Sequence, residues 1–337
     1  MKKQLFYLFL FAVLSIFILV GCGKQETDAN EEVSEPTETE QEIQEEVIEE
    51  EESHYPITVT DSAGRELIFE SAPHRIATVI PGDMEIIYAL GGELAARPQS
   101  SGEVRPPEAE SLDVIGHPHD INFEILASLG VDLFIGHSRV NMKDIETLEA
   151  LGINVLLSHG DSFEDIIGLI NLYGRILDKG SEAEQLIHEI ENEINALIGN
   201  QPEQPMKTLI LFGTVDETMA ALPQSLVGSL FELVGTENVA SGLPRLDRYP
   251  TYAQLSLERV LEANPDVIYF MAHGDPQAVL DNFQSEMSKN PAWNNLTAVK
   301  NDNLIILPHS LFGTNPGPRI VESLQYLSES LESITIE

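Results

Sequence analysis

The chain has 337 residues, 56 of them acidic and 18 basic, for a formal net charge of −38 at pH 7. So large a negative surplus excludes nucleic acid and anionic membrane surfaces as binding partners. The single cysteine, Cys22, excludes an internal disulfide.

In chain order, Met1–Lys3 is a short basic start, and Leu5–Val20 is an apolar run of 16 residues. A bilayer span needs ~20 such residues, so the run fits a secretory signal over residues 1–21. Leu19-Val20-Gly21-Cys22 resembles a bacterial lipobox. That resemblance implies cleavage before Cys22, lipidation of its thiol (palmitate) and attachment to the outer face of a cell membrane. Residues 26–52 then carry 14 acids, no basic residue and no aromatic. Like charges repel and little apolar surface is available to bury, so residues 22–54 read as an acidic disordered tether.

The remainder is long enough for two lobes. With 42 acidic and 15 basic residues over 54–337, it stays strongly negative, as suits a salty habitat where screening is short-ranged. "HRIATVIPG" (74–82) and "MKTLILFG" (206–213) each supply an opening strand. "NFEILASLGVDLFI" (122–135) and "SLERVLEANPDVIY" (256–269) share one layout at an offset of 134 residues. Each has a capping residue (Asn122, Ser256), an acid two places on (Glu124, Glu258), a short amphipathic helix, and an aspartate (Asp132, Asp266) leading an apolar strand. Alternating helices and buried strands predict α/β lobes with parallel sheets, the N-terminal one over 55–180 and the C-terminal one over 200–337. Between them, residues 181–199 predict one long helix, with a Ser181–Glu184 capping box and Gly199 at its end. Leu186, Ile187, Ile190, Ile194, Leu197 and Ile198 make its apolar stripe. A single crossing by a stiff helix predicts lobes that move little against each other.

A lipobox, two α/β lobes and one backbone helix resemble the iron-complex and vitamin B12 class of substrate-binding proteins that serve ABC importers. The resemblance implies two Rossmann-like lobes, a cargo held between them, and permease and ATPase partners. It also implies that Glu124 and Glu258 dock on the permease. In open α/β sheets, ligands bind beyond the carboxyl ends of strands, and two strands deliver histidines there: "VIGHPH" (114–119) and "DVIYFMAHGDP" (266–276). In the second, Asp275 and Pro276 begin a helix.

"IGHPHDINFEIL", "MAHGDPQAVLDNF", "NPAWNNLTAVKNDNLIIL" and "LFGTNPGPRI" together are similar to the heme-receptor lipoproteins of Gram-positive iron-regulated surface systems. By that resemblance the cargo is heme, supplied freely or by a surface heme donor. Its iron then lies between His273 and His119, with His117 as the alternative to His119. The family usually has methionine at the place of His119, so this chain departs toward bis-histidine ligation. His137, His159 and His309 also follow strands. Phe123, Phe270, Met271, Leu311 and Phe312 are candidate walls for the ring. Arg139, Arg245, Arg248 and Tyr252 are candidate partners for its carboxylates.

A ferric-siderophore cargo remains the alternative, kept open by "RLDRYP" (245–250), and a bare metal ion is a further one. Enzymatic signatures are incomplete. "FIGHSRV" (134–140) has Val140 where a nucleophile elbow needs glycine, and "HEIEN" (188–192) has Asn192 where a zinc-protease motif needs histidine. The chain is not expected to be an enzyme.

Overall fold

The computed structural model describes residues 54–100, 103–199, 204–213, 218–272, 275–313 and 315–335. The expected signal, Cys22 and nearly all of the tether, as well as His273, lie outside the described residues.

The N-terminal lobe opens on an antiparallel hairpin of β1 (Ile57–Thr60) and β2 (Glu66–Phe69). There follow β3 (Ile76–Thr78), α1 (Pro81–Ala89) and β4 (Leu94–Ala96). A second small hairpin pairs β5 (Gly116–His117) with β6 (Asp120–Ile121) and leads into α2 (Phe123–Ser128). The lobe closes with β7 (Leu133–His137), α3 (Ile145–Ala150), β8 (Asn154–Ser158) and α4 (Phe163–Ile176). Its sheet has the order β4-β3-β7-β8 and is parallel throughout. Leu133–Gly136 are all buried, as expected of a strand covered on both faces.

The connecting helix, α5 (Gly180–Ile198), starts one residue before Ser181, and no capping box forms. Instead the chain reverses tightly after α4, and Ala183 donates its N–H to Lys179 O at 3.0 Å, which makes Lys179 the N-cap. That reversal needs close contact between α4 and α5. A Cβ on Gly174 would lie 2.5 Å from the Ala183 Cβ, so only glycine fits there.

The C-terminal lobe contains β9 (Lys207–Gly213), β10 (Thr218–Ala221), α6 (Leu226–Leu233), β11 (Glu237–Asn238) and β12 (Tyr252–Gln254). After these come α7 (Leu257–Ala263), β13 (Val267–Ala272), α8 (Pro276–Met287), α9 (Thr297–Lys300), β14 (Leu304–Ile306), α10 (His309–Phe312) and α11 (Ile320–Glu332). Its six-stranded sheet is mixed rather than parallel: β9, β13 and β14 run together, while β10 is antiparallel to β9 and to β12. The reason is connection length. Only residues 214–217 separate β9 from β10, whereas a parallel crossover takes a dozen or more.

The sequence echo has a structural counterpart. Asn122 and Ser256 cap α2 and α7 by accepting from Ile125 N and Arg259 N. Gly130 (φ 62°) and Asn264 (φ 48°), 134 positions apart, end the two helices in the left-handed region. Asp132 accepts N–H bonds from His74 and Arg75 at 2.8 and 2.9 Å, and Asp266 accepts one from Lys207 at 2.9 Å. In both lobes, then, one carboxylate fastens the third-element strand to the opening strand.

The lobes share one apolar core. It runs from Leu133, Ile135 and Leu156 of the N-terminal sheet, through Ala183, Ile190 and Ile194 of α5, to Phe231, Tyr269 and Leu324. A second contact lies on the cleft side, where α1 meets residues 315–319. Arg319 forms a two-pronged pair with Glu85, at 2.6 Å (Nε–Oε2) and 2.9 Å (Nη2–Oε1). Backbones also close in: a Cβ on Gly82 would lie 2.2 Å from Asn315 O. Gly82→Ala should therefore push the lobes apart locally and cost about 1–3 kcal/mol in denaturant unfolding. Gly168→Ala in α4, which meets nothing within 4 Å, should be neutral or slightly stabilising in the same measurement.

Candidate functional site

Where the two sheets end toward each other, the described residues enclose a cavity of about 270 Å³. The N-terminal lobe supplies the carboxyl ends of its strands: Val79–Pro81 after β3, His137 and Arg139 at the end of β7, and His159–Asp161 after β8. Pro118, in the turn of the β5–β6 hairpin, completes that side. The C-terminal lobe supplies Ser225–Val227 at the start of α6, Thr251 and Tyr252, and Phe312, Gly313 and Asn315. This is the place the α/β rule assigns to a ligand. A larger, shallower groove of about 490 Å³ lies between β1 and α4. Its Asp61 is already fully engaged, accepting from Ala63 N, Arg65 N and Nε, and Leu157 N.

The candidate histidines differ in what their rings can offer. His117 Nδ1 accepts the N–H of His119 at 3.3 Å, and His137 Nδ1 accepts the N–H of Arg139 at 3.2 Å. A neutral imidazole that accepts at Nδ1 carries its proton on Nε2, so both rings present a donor rather than a lone pair. His119, exposed in the hairpin turn, makes no ring hydrogen bond among the described residues and keeps a lone pair available. Its ring lies 6.2 Å from that of His117. Asn141 steadies the whole region: it accepts from His137 N at 2.7 Å and donates to Pro118 O at 2.7 Å.

His137 lines the cavity, although nothing in the sequence ranks it above His119. Burial lowers its pKa; Asp161 opposes this, while Arg139, His159 and His119 add to it. It is therefore neutral near pH 7. His159 bonds Ser138 Oγ through Nδ1 at 3.1 Å and forms a wall. His309 is exposed at the start of α10, and His74 and His54 are surface residues.

Arg139, Tyr252 and Phe312 do line the cavity. Arg139 is ion-paired with Asp161, so its charge is already matched. Burial pushes the Tyr252 phenol up to about 12, with Asp161 adding to the rise and Arg139 opposing it. Other expected wall residues are placed elsewhere. Phe270 belongs to the C-terminal core and Met271 to the core shared by the lobes, because β13, a central strand, is buried on both faces. Leu311 packs against the shared core, and Phe123 lies in a separate surface groove beside Glu124. Arg245 and Arg248 are exposed on the segment entering β12, where Arg248 stacks on Tyr249 at 5.3 Å. Glu124 and Glu258 are both exposed in the first turns of α2 and α7.

Asp83 went unnoticed in the sequence. It is fully buried at the cavity floor, accepts hydrogen bonds from Ser158 Oγ and from Asn315 Nδ2 (3.3 Å), and so links the lobes. Tyr173 Oη lies beside it without a well-formed hydrogen bond. Burial raises the carboxyl from 3.8 to about 6, against the lowering effect of those hydroxyl and amide neighbours. The signal that could have found it is the strand–Pro-Gly-Asp order at the start of α1, the usual place of cleft residues.

Residues 76–311 match the family described as periplasmic binding protein. The chain belongs to that family. Its members are substrate-binding proteins of ABC transporters for iron complexes, heme, siderophores or cobalamin, and they bind rather than catalyse. Permease and ATPase subunits are the partners the family implies. The lipoprotein YvrC of Bacillus subtilis, an uncharacterized ABC transporter substrate-binding protein, is 20% identical over 95% of this chain and 94% of its own. A cobalamin-binding protein of Halobacterium salinarum is 23% identical over 84% of this chain and 76% of its own. The high-affinity heme uptake system protein IsdE of Staphylococcus aureus is 26% identical over 64% of this chain and 72% of its own. The crystal structure of IsdE with heme covers 76% of this chain and 98% of that one, at 23% identity and a TM-score of 0.65. At that identity the likeness establishes the fold: a class III binding protein with two α/β lobes.

Asp83 generates a pH test. Its folded pKa lies above its unfolded value, so folding is favoured below about pH 4 and loses stability as pH rises to about 6. Above that the full cost, about 3 kcal/mol for a shift of about two units, is present. Asp83→Asn removes this titration. The variant's stability relative to wild type should rise by up to about 3 kcal/mol between about pH 4 and pH 7, read by urea unfolding across that range.

Proposed function

We propose that this protein is a lipid-anchored receptor, tied to the outer face of the membrane through Cys22, that captures heme between its lobes and hands it to an ABC permease. His119 and His273 are the axial donors. The observation that carries the reading is the contrast among the N-terminal histidines. His117 and His137 have Nδ1 occupied, whereas His119, next in sequence to the cavity-lining Pro118, keeps its ring free to coordinate. Apolar walls from Val79, Ile80, Leu226 and Phe312 suit a porphyrin face. A siderophore would call for free cationic groups, and Arg139, the one arginine among the described lining residues, is already paired. The enclosed volume, about 270 Å³, lies just below the ~300–1,000 Å³ typical of ligand sites, so part of the ring extends beyond it.

Protein freed of its first 53 residues should take up about one equivalent of hemin, with a sharp Soret band, and should prefer it to ferric hydroxamates. His273→Ala should weaken binding and shift the band. His119→Ala should change spin state more than affinity, whereas His117→Ala should leave the spectrum alone. A spectrum unmoved by either His119→Ala or His273→Ala rules out these ligands.

Docking is assigned to Glu124 and Glu258, exposed at matching places in the two lobes. The double change to alanine should abolish cellular heme uptake while hemin affinity stays within about twofold of wild type. Lost affinity instead places these acids in the cleft.

A further inference from the structure

We infer that His137 and Tyr252 form a carboxylate-binding subsite, in which imidazole Nε2–H from one lobe and phenol Oη–H from the other donate to one carboxylate of the cargo. This rests on the proposed heme cargo, whose ring edge carries two carboxylates.

Each donor is fixed by its own surroundings. His137 Nδ1 is held by the Arg139 N–H at 3.2 Å, which places the ring proton on Nε2. The backbone of His137 is itself held by Asn141 at 2.7 Å, so the ring has a defined origin. Tyr252 comes from β12 across the cavity, with its ring packed on Phe212 at 5.6 Å. Its phenol stays protonated and therefore donates. Neither His137 Nε2 nor Tyr252 Oη bonds any described residue, and both residues line the same cavity.

The surrounding charge permits an anion. Arg139 and Asp161 cancel each other, and the remaining acid of the described lining, Asp83, is buried at the floor with Ser158 Oγ and Asn315 Nδ2 donating to it. Two neutral donors then select for carboxylate by hydrogen bonding alone, and an ester, which accepts less strongly, gains less. Because the donors belong to different lobes, a carboxylate held between them bridges the cleft.

The test compares hemin with hemin dimethyl ester by absorbance titration of wild type, His137→Ala and Tyr252→Phe. Wild type should bind the diacid roughly tenfold or more tightly than the diester. Each variant should lose about tenfold in hemin affinity and little for the ester, with the Soret maximum unmoved. Tyr252→Phe keeps the ring against Phe212 and removes only the hydroxyl, so it decides the matter if His137→Ala does not fold. Equal wild-type affinity for the two ligands, or unchanged hemin affinity in Tyr252→Phe, overturns the subsite and leaves the heme reading intact. A Soret shift in His137→Ala overturns it too, by making His137 an iron ligand. No hemin uptake by wild type overturns the heme reading first and the subsite with it.

Discussion

The junction between the lobes is the constraint on which the rest of the molecule depends. An α/β lobe can bury only one side of its helices by itself, and here Ile190 and Ile194 of α5 extend a single apolar core from one sheet to the other. Each such side chain, fully buried, contributes about 1.5–3 kcal/mol. On the cleft side the same junction is polar, through Asp83 with Asn315 and Glu85 with Arg319. The Glu85–Arg319 pair is largely shielded from water, with side-chain exposures of 10% and 20%, so losing one partner would strand the other charge. A greasy back and a polar front leave little room for hinge motion. The cleft is a standing feature of the fold rather than a product of closure.

That standing cleft explains why hydrogen-bond direction matters inside it. In a fixed cavity a side chain cannot choose its role when cargo arrives, because its tautomer has been set by the local chain. The turn after β7 brings the Arg139 N–H onto His137 Nδ1, and the hairpin turn brings the His119 N–H onto His117 Nδ1. Two histidines thereby become donors, and the third, His119, keeps a ring lone pair available. Under the proposed function, a division of labour between holding iron and holding carboxylate would follow from backbone geometry two residues downstream of each ring.

Much of this was legible in the sequence, and the boundary is instructive. The repeat at 134 residues was legible because the capping residue and the strand-leading aspartate are local devices, and each recurs as a hydrogen bond in the structure. The apolar stripe of α5 was legible from its period, but its start was not. Ala183 fits against Gly174 of the preceding helix, and that close approach moves the first turn upstream of Ser181. Phe270 and Met271 misled because a strand end near a ligand site and a strand buried on both faces look alike in one dimension. Asp83 and Asn315 were illegible because their meaning lies 232 positions apart, in a contact between lobes.

The cavity also separates two tasks that one acidic surface must perform. Glu124 and Glu258 stand exposed on first helical turns, where the helix dipole favours a carboxylate, and neither lines the cavity. Asp83 and Asp161 stand inside, where one is buried with hydrogen-bonding neighbours and the other is matched by Arg139. Negative charge on these first turns is bare to solvent, whereas inside the cavity Asp161 is matched by Arg139 and Asp83 is held by hydrogen-bond donors. With 42 acids and 15 bases from residue 54 onward, a cleft lined at random would repel any carboxylate. The Arg139–Asp161 pair and the two uncharged donors lessen that repulsion, and Asp83 is the acid of the lining left without a cationic partner among the described residues.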